Sequence, residues 1–202
     1  MNKEMSIEKR NPKNVHINVY DFDKTIYNGD STIDFYIFCI YKKPYLVFHI
    51  PICVFYFILY KMRIIDKLKF KEIFFSFLKY IKNVNNLVDL FWKKNKKKIK
   101  LWYINDSNKN KIIISASPEF LLKPIIYNNE VIDLIASKVN ISTGKFLSKN
   151  CYGIEKVKRL NEIYTDYIIE NFYSDSLSDI FLAQISKNSY LVKKDEIIKW
   201  NI

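Results

Sequence analysis

Short β-rich segments alternate with helical segments along this chain, and that alternation constrains its fold more than any other feature. The β-rich segments are residues 15–20, 111–115, 131–136, 167–173 and 189–192, and helical patterns begin at Ser117, Glu155 and Leu177. Strands that alternate with helices predict a parallel sheet covered by helices on both faces. We therefore expect an α/β fold with a doubly wound parallel sheet.

Residues 30–105 interrupt the alternation. This segment is rich in aromatic residues, follows a helical pattern throughout and is too long for a loop inside a compact domain. We expect an all-helical subdomain inserted into a core made of residues 13–29 and 106–202, with Asp30 or Ser31 capping its first helix. A small hairpin around Thr143 and Gly144 is expected beside the sheet.

The composition indicates a folded protein in a reducing compartment. Of the 202 residues, 49% are hydrophobic, which is enough for a sizeable core. The three cysteines are widely spaced and no histidine cluster accompanies them, so we expect neither a disulfide framework nor a zinc site. Residues 1–14 show no secretory signal, and a cytoplasmic location is expected.

Positive charge is spread along the whole chain. The formal net charge is +12, and its densest run, residues 93–100, is typical of a solvated helix face. We therefore expect no nucleic-acid partner, although a basic surface would attract phosphorylated substrates or acidic lipid.

Two aspartates, Asp21 and Asp23, follow the first apolar strand. Residues i and i+2 of a strand point the same way, so the two carboxylates would project together. Close like charges raise each other's pKa unless a cation lies beside them. Mg²⁺ is the natural partner, because it binds one or two carboxylates together with phosphate oxygens and water. A surface turn that carries two aspartates by chance is the alternative.

Three further polar sites follow later strands. Ser115 ends the second strand, ahead of a helix expected to open at Ser117, where free backbone N–H groups could hold an anion. Lys156 lies in the first turn of a later helix, and Asp175 and Asp179 follow an apolar strand. Each pattern alone has an ordinary explanation, as a capping serine, a solvated lysine or an acidic helix start. Together they lie at the carboxyl ends of successive strands, where ligands bind in open α/β sheets.

This ordered set resembles the four motifs of the haloacid dehalogenase (HAD) superfamily. "DFDKT" at residues 21–25 looks like the first motif, "SAS" at 115–117 the second, the lysine of "EKVKRL" the third and "SDSLSD" at 174–179 the fourth. The helical insertion and "CYGIEKVKRL" are similar to subfamily IB, which contains phosphoserine phosphatases. "LIAS", "YSDS" and "YLVKKDEIIKW" are similar to the phosphatidylglycerophosphatase C type of that subfamily. The resemblance implies a Rossmann-like core with a helical cap of type C1.

The resemblance also implies an Mg²⁺-dependent phosphatase that works through an aspartyl-phosphate. Asp21 would be the nucleophile, and Asp23 would protonate the leaving oxygen and then activate water. Asp21, Asp23 through its backbone carbonyl, and Asp175 would hold the metal ion. Ser115 and Lys156 would bind the phosphoryl oxygens. The residues implied to support these groups are Thr25, Ala116 and Asp179.

The substrate would be selected by the insertion. None of its residues matches those that bind the amino and carboxyl groups of a serine, and residues 176–178 replace the glycine-rich fourth motif of phosphoserine phosphatases. We expect a phosphorylated lipid or small metabolite as substrate. A phosphoserine phosphatase-type enzyme and a membrane-surface module without turnover are the alternatives.

Residues 44–60 form a run of 17 residues without formal charge, and two interpretations of it stand. In the first, this run and residues 73–81 are helices that pack their apolar faces on each other. In the second, part of the surface enters a membrane interface to reach a lipid, as a peripheral contact at the inner face. A single crossing of the bilayer is not expected, because Asp21 before the run and Ser115 after it must meet at one phosphate.

Overall fold

The computed structural model describes residues 15–126 and 131–202. Its strands are β1 (Val15–Tyr20), β2 (Lys111–Pro118), β3 (Val131–Ser137), β4 (Tyr167–Ser174), β5 (Ser186–Lys193) and β6 (Glu196–Lys199). Within the described residues they form a six-stranded sheet in the order β3-β2-β1-β4-β5-β6. Neighbouring strands are parallel, except that β6 runs antiparallel to β5. The predicted α/β fold with a parallel sheet is confirmed.

Helices fill the long segment between β1 and β2. The α-helices of the described residues are α1 (Ser31–Lys42), α2 (Ile50–Lys61), α3 (Lys67–Phe75), α4 (Val84–Asn95), α5 (Leu101–Ile104), α6 (Glu119–Ile126), α7 (Ile154–Ile163) and α8 (Ile180–Gln184). Shorter 3-10 helices are Pro44–His49, Ser76–Tyr80, Lys96–Lys98 and Leu177–Asp179. The helical insertion thus belongs to the fold as expected, with Asp30 capping α1 by accepting a hydrogen bond from Ile33 N at 3.0 Å.

Two apolar clusters lie on the two faces of the sheet. Ile17 and Val19 of β1 belong to the cluster that also contains Leu160 of α7, whereas Tyr20 belongs to the cluster built with the insertion and α6. The last four residues of β1 are all buried, as expected for a strand that is covered on both faces. On the insertion side, Trp92 Nε1 donates to Leu121 O at 2.6 Å and ties α4 to α6.

The two chain segments that join the insertion to the sheet run side by side. Asn28 N donates to Lys98 O at 2.8 Å, and Lys100 N donates to Ile26 O at 2.8 Å. Tyr27 forms an antiparallel bridge between these bonds, with Ile99. This paired connection fixes the base of the insertion beside the carboxyl end of β1.

The lysine-rich run of residues 93–100 is only partly solvated. Lys98 pairs with Asp34 of α1 at 2.7 Å. Lys100 is buried and donates to the carbonyl oxygens of Lys24 and Lys194. The prediction of a solvated helix face is wrong for these two lysines, because they lie in the connection between insertion and sheet.

Several element boundaries differ from the sequence expectations. Strand β2 continues to Pro118, which pairs with Ser137 of β3, so the helix expected to open at Ser117 begins at Glu119. The expected helix from Leu177 is a 3-10 turn followed by the short α8. Strand β6 was not predicted, because its four residues, EIIK, do not alternate between apolar and polar positions.

The expected hairpin near Gly144 is a turn closed by one antiparallel bridge, between Val139 and Phe146. Gly144 N donates to Asn140 O at 2.8 Å and tightens that turn. The expectation for residues 1–14 and the last residues of the helix predicted from Ser117 lie outside the described residues.

The apolar run of residues 44–60 lies mostly on the surface. Within the described residues, Pro44–Lys61 is the helical stretch long and apolar enough to cross a membrane, and 17% of it is buried. Phe48 is 79% exposed and Phe55 57%. The predicted packing of this run against residues 73–81 is therefore wrong for most of its length. Residues 73–81 themselves do pack into the interior.

Candidate active site

The predicted site residues converge on one cavity of about 690 Å³ at the carboxyl end of the sheet. Those that line it are Asp21, Asp23, Ser115, Ala116, Lys156, Asp175 and Asp179. Thr25 is fully buried and hydrogen-bonds to two of the segments that carry them. The fold therefore brings together side chains that are far apart in sequence, up to the 158 positions that separate Asp21 from Asp179. Their chemical roles stay predictions.

Lys156 connects two carboxylates at the floor of the cavity. Its Nζ donates to Asp21 Oδ1 and to Asp179 Oδ2, both at 2.7 Å, and the lysine side chain is 2% exposed. Burial alone would lower the pKa of Lys156, but Asp21 and Asp179 outweigh burial and the pKa is raised. The ammonium charge is therefore held firmly beside Asp21.

Asp21 is placed by the sheet itself. Its backbone N donates to Tyr173 O at 2.9 Å, which continues the pairing of β1 with β4 past the end of β1. Burial raises the pKa of Asp21 to about 7, although Lys156 lowers it in part. This carboxylate is thus desolvated and depends on nearby positive charge to stay ionised.

Thr25 and Ser174 hold the surroundings of that carboxylate. Thr25 Oγ1 donates to Asp21 Oδ2 at 3.3 Å and accepts from Asp175 N at 2.9 Å, so it connects the loop after β1 to the loop after β4. Ser174 Oγ donates to Asp179 Oδ2 at 2.8 Å. Asp179 Oδ1 is buried without a hydrogen-bond partner among the described residues.

Asp23 lies where the loop after β1, the start of α1 and the end of β2 meet. Its Oδ1 accepts from Ser31 N at 2.6 Å, and its Oδ2 accepts from Ser117 Oγ. Burial, followed by the charge of Asp30, raises the pKa of Asp23 to about 6. A carboxyl group with this pKa can both release and take up a proton near neutral pH.

The end of β2 supplies Ser115 and also Ser117, which was predicted from the sequence to cap a helix. Ser115 is buried, and its Oγ accepts from Ser117 N at 3.1 Å. Ser117 does not cap a helix. Instead its hydroxyl contacts Asp23 and Thr32, the latter at 2.9 Å, and so joins β2 to α1.

Helix α3 contributes to the cavity, which was not predicted from the sequence. Lys67, Phe70, Lys71 and Phe74 all line it, at the spacing that places residues on one helix face. Val54 and Phe57 of α2 line the same side. The spacing of two lysines and two phenylalanines was visible in the sequence, but only the fold shows that this face covers the carboxylates. The cavity therefore has a polar floor and a largely apolar wall.

The polar floor has the oxygen donors that Mg²⁺ prefers. Asp21 and Asp175 offer carboxylates and Asp23 a backbone carbonyl, while four carboxylates at the floor face one buried ammonium, that of Lys156. Among the described residues no group of three or more His, Cys, Asp or Glu side chains has the arrangement of a metal site. Two carboxylates are enough for Mg²⁺, since this ion keeps water and phosphate oxygens as its other ligands. The residues therefore fit the ion by charge and donor type.

The chain matches one protein family along most of its length. The model of the haloacid dehalogenase-like hydrolases matches residues 19–184. No curated protein matches the chain.

Solved structures share the fold at low sequence identity. A protein of unknown function from Bordetella pertussis Tohama I is 16% identical with a TM-score of 0.70, covering 88% of this chain and 89% of that one. A phosphoserine phosphohydrolase-like protein from Francisella tularensis is 14% identical with a TM-score of 0.54, covering 92% and 90%. The HAD family hydrolase t0658 from Salmonella enterica serovar Typhi is 11% identical with a TM-score of 0.56, covering 86% and 61%. At these identities the likeness shows the fold.

The family match contains all four predicted motifs, from Asp21 to Asp179. The predicted resemblance to the haloacid dehalogenase superfamily is thereby confirmed, and so is the prediction that the protein is a hydrolase. The chain belongs to the haloacid dehalogenase-like hydrolase family.

Proposed function

We propose that this hydrolase is an Mg²⁺-dependent phosphomonoesterase of subfamily IB that works through a phospho-aspartyl intermediate. The observation that carries the proposal is the contact between Asp21 and Lys156 at the cavity floor, 2.7 Å between Oδ1 and Nζ. A carboxylate beside a fixed cation suits attack on phosphorus, because the cation binds the phosphoryl oxygens as charge develops on them.

The side chains divide the reaction into two steps. In the first, an Asp21 oxygen forms a bond to phosphorus while the bond to the ester oxygen breaks, and Asp23 gives its proton to that oxygen. In the second, Asp23 takes a proton from water, which attacks phosphorus and releases Asp21. Ser31 and Ser117 hold the Asp23 carboxyl in place for both transfers.

Phosphate binding and charge balance involve the remaining motif residues. Ser115 and Lys156 would bind the nonbridging oxygens of the phosphoryl group. When held by Asp21, Asp175 and the carbonyl of Asp23, Mg²⁺ would supply positive charge that offsets the phosphoryl group and the surrounding carboxylates.

A phosphorylated lipid is the substrate class that the cavity wall favours. The cavity that contains the carboxylates is also lined by apolar side chains, those of Val54, Phe57, Phe70 and Phe74. Apolar surface stabilises a ligand by burying hydrocarbon, and a small polar metabolite such as phosphoserine would leave this wall uncovered. The lipid would place its phosphate at Asp21 and its hydrocarbon against α2 and α3.

The exposed side of α2 supports a peripheral contact with the inner face of a membrane. Phe48 before the helix, and Ile52, Phe55 and Ile58 on it, are all more than a third exposed. Lys61 ends the helix and suits an anionic head group. Since the inner wall of the cavity and this surface belong to the same helix, a lipid could enter from the membrane without crossing water.

The test is phosphate release from 4-nitrophenyl phosphate, phosphoserine and a short-chain lipid phosphomonoester, with Mg²⁺ and with EDTA. We expect metal-dependent release that Asp21→Asn lowers by at least about 1000-fold, as for the loss of a nucleophile. Asp89→Asn removes an exposed carboxylate of α4 and is the matched control, with unchanged activity expected. Normal release by Asp21→Asn would refute the mechanism. Vesicle binding by the wild type with no turnover of any ester would favour the membrane-surface module.

A further inference from the structure

Lys71 is a partly buried cation that the reaction described above does not use. It lies on α3, and its Nζ donates to Ala116 O and to Asn150 Oδ1, both at 3.0 Å. Both acceptors are neutral. Among residues 15–126 and 131–202, no carboxylate lies within ion-pair distance of Lys71.

The charge of Lys71 is therefore not neutralised by a direct ion pair, although Asp30 and Asp23 favour it from a longer distance. Burial, and then the neighbouring Lys67, lower the pKa of Lys71 to about 8, so the amine is still mostly protonated at neutral pH. A lysine ammonium has three N–H donors, and the contacts with Ala116 and Asn150 use two of them. One N–H donor of the ammonium group is left for a ligand.

The position of Lys71 limits where such a ligand group can lie. Ala116 follows Ser115, so Lys71 is close to the phosphate end of the cavity. On its own helix Lys71 stands between Phe70 and Phe74, which belong to the apolar wall. An anionic group bound there would sit between the phosphate and the hydrocarbon of one substrate.

We propose that Lys71 determines specificity by binding a second anionic group, carried by the leaving group of the phosphomonoester. The inference rests on the proposed phosphomonoesterase function. The second anion is a phosphodiester or a carboxylate near the ester oxygen. Lys67, on the same face of α3, lies over the ring of Tyr152 at 3.2 Å and adds positive charge at this level of the cavity. Lys156 is engaged with Asp21 and Asp179 and serves the transferred phosphate instead.

The experiment compares substrates that differ only by the second anion. The lipid pair is dihexanoyl phosphatidylglycerophosphate, which has a phosphodiester besides its terminal phosphate, and dihexanoyl phosphatidic acid, which lacks it. The small pair is phosphoserine, with a carboxylate, and phosphoethanolamine, without one. 4-Nitrophenyl phosphate reports on the phosphate site alone. The two pairs also distinguish a phosphodiester from a carboxylate as the anion recognised.

We expect Lys71→Met to lower kcat/KM about 10- to 100-fold on the preferred doubly anionic substrate, mainly through KM, as for a lost charge-assisted hydrogen bond. On phosphatidic acid and 4-nitrophenyl phosphate it should change kcat/KM less than about twofold, since those esters make no second-anion contact. Lys71→Arg keeps the charge and should recover part of the loss. Lys69→Met removes an exposed lysine from the same helix and should match the wild type on every substrate.

Binding measurements decide the claim separately from turnover. Isothermal titration calorimetry of each pair with Asp21→Asn, and with Asp21→Asn combined with Lys71→Met, measures the preference for the second anion without hydrolysis. A preference that disappears with Lys71→Met supports the inference even if the wild type hydrolyses nothing, which would refute the proposed function alone. Equal losses on all substrates, or no loss on any, would overturn the role of Lys71 while leaving the phosphomonoesterase intact.

Discussion

At the scale of single residues, the stability of the site depends on one buried lysine that pairs with two of its carboxylates. Lys156 is the ion-pair partner of both Asp21 and Asp179, and among the described residues neither carboxylate has another. Breaking a buried ion pair leaves charge without compensation, which costs about 3–5 kcal/mol. The ion pairs of Lys156 therefore contribute to stability, besides the proposed role of this lysine in binding phosphate.

Replacing Lys156 with Met should lower stability and activity together. We expect a loss of about 3 kcal/mol or more in the free energy of unfolding at pH 7, measured by urea denaturation in EDTA. Lys158→Met, an exposed lysine on the same helix, is the control and should change stability by less than about 0.5 kcal/mol. A Lys156→Met protein as stable as the control would contradict the ion-pair geometry.

Unlike Lys156, Lys71 should lower the stability of the folded protein at neutral pH. The pKa of its amine is lowered from 10.5 to about 8 in the folded protein. Between these pH values the unfolded chain binds more protons than the folded one, so stability rises as pH increases from 8 to 10.5. Below pH 8 both states are protonated and the full cost of the buried charge is present.

Lys71→Met should thus be more stable than the wild type at pH 7. The gain is on the order of 1–2 kcal/mol, after the hydrogen bonds to Ala116 and Asn150 are lost. The difference should shrink toward pH 10, as measured by denaturation at both pH values. A variant that is less stable than the wild type to the same extent at both would mean that Lys71 is a structural residue.

At the scale of elements, the turn at Gly144 connects the core to the insertion. Gly144 has φ +72°, and a Cβ at this position would collide with the backbone carbonyl of Phe75 at the end of α3. Phe146 N, on the other side of the turn, donates to Glu72 Oε1 of the same helix at 3.1 Å. The turn therefore holds α3 in place over the cavity.

Gly144→Ala should destabilise the protein by about 2–3 kcal/mol, because it combines a strained φ with a backbone collision. Thermal unfolding provides the measurement, and Lys145→Ala, an exposed neighbour in the turn, is the comparison. Equal melting temperatures for the two variants would show that α3 does not depend on this contact.

The sequence predicted the helices and strands that have a clear local pattern. It did not predict features that depend on how those elements pack against each other. Residues 15–20 were predicted as a strand because they form a short β-rich run, and β1 has those bounds. The motif residues could be placed together because each follows a strand of one parallel sheet. Ser117 was misassigned, since pairing of β2 with β3 extends the strand past the local helix-start pattern. The contribution of Lys71 depends on how α3 lies over the core, which no local pattern contains.

The sequence left the exposure of α2 undecided between two interpretations, for a related reason. An apolar helix has the same composition whether it faces a core, a neighbouring helix or a membrane. Contact with α3, through rings such as Phe57 and Tyr60 against Phe70, covers one side of α2 and leaves the rest open.

At the scale of the whole molecule, the net charge of +12 and the open side of α2 should act together at a membrane. We expect the protein to co-sediment with vesicles that contain anionic lipid, and less so as salt screens the charges. Phe48→Ser with Phe55→Ser should weaken binding about tenfold or more, since each exposed ring contributes apolar area. Leu147→Ser, 66% exposed in the turn after Gly144, is the matched control.

The double phenylalanine variant should hydrolyse 4-nitrophenyl phosphate at the wild-type rate, because neither ring lines the cavity. Unchanged vesicle binding by this variant would place the membrane contact elsewhere or remove it.

The paired connection at Asn28 and Lys98 has a consequence for how such a hydrolase can diversify. The chain leaves the sheet and returns to it through adjacent, hydrogen-bonded backbone positions, so the two ends of the insertion are held together where they meet the sheet. Recombination at that junction could exchange residues 29–97 as one unit and present new compounds to the same core residues. A chimera joined at these two positions would inherit its reaction from one parent and its choice of molecule from the other.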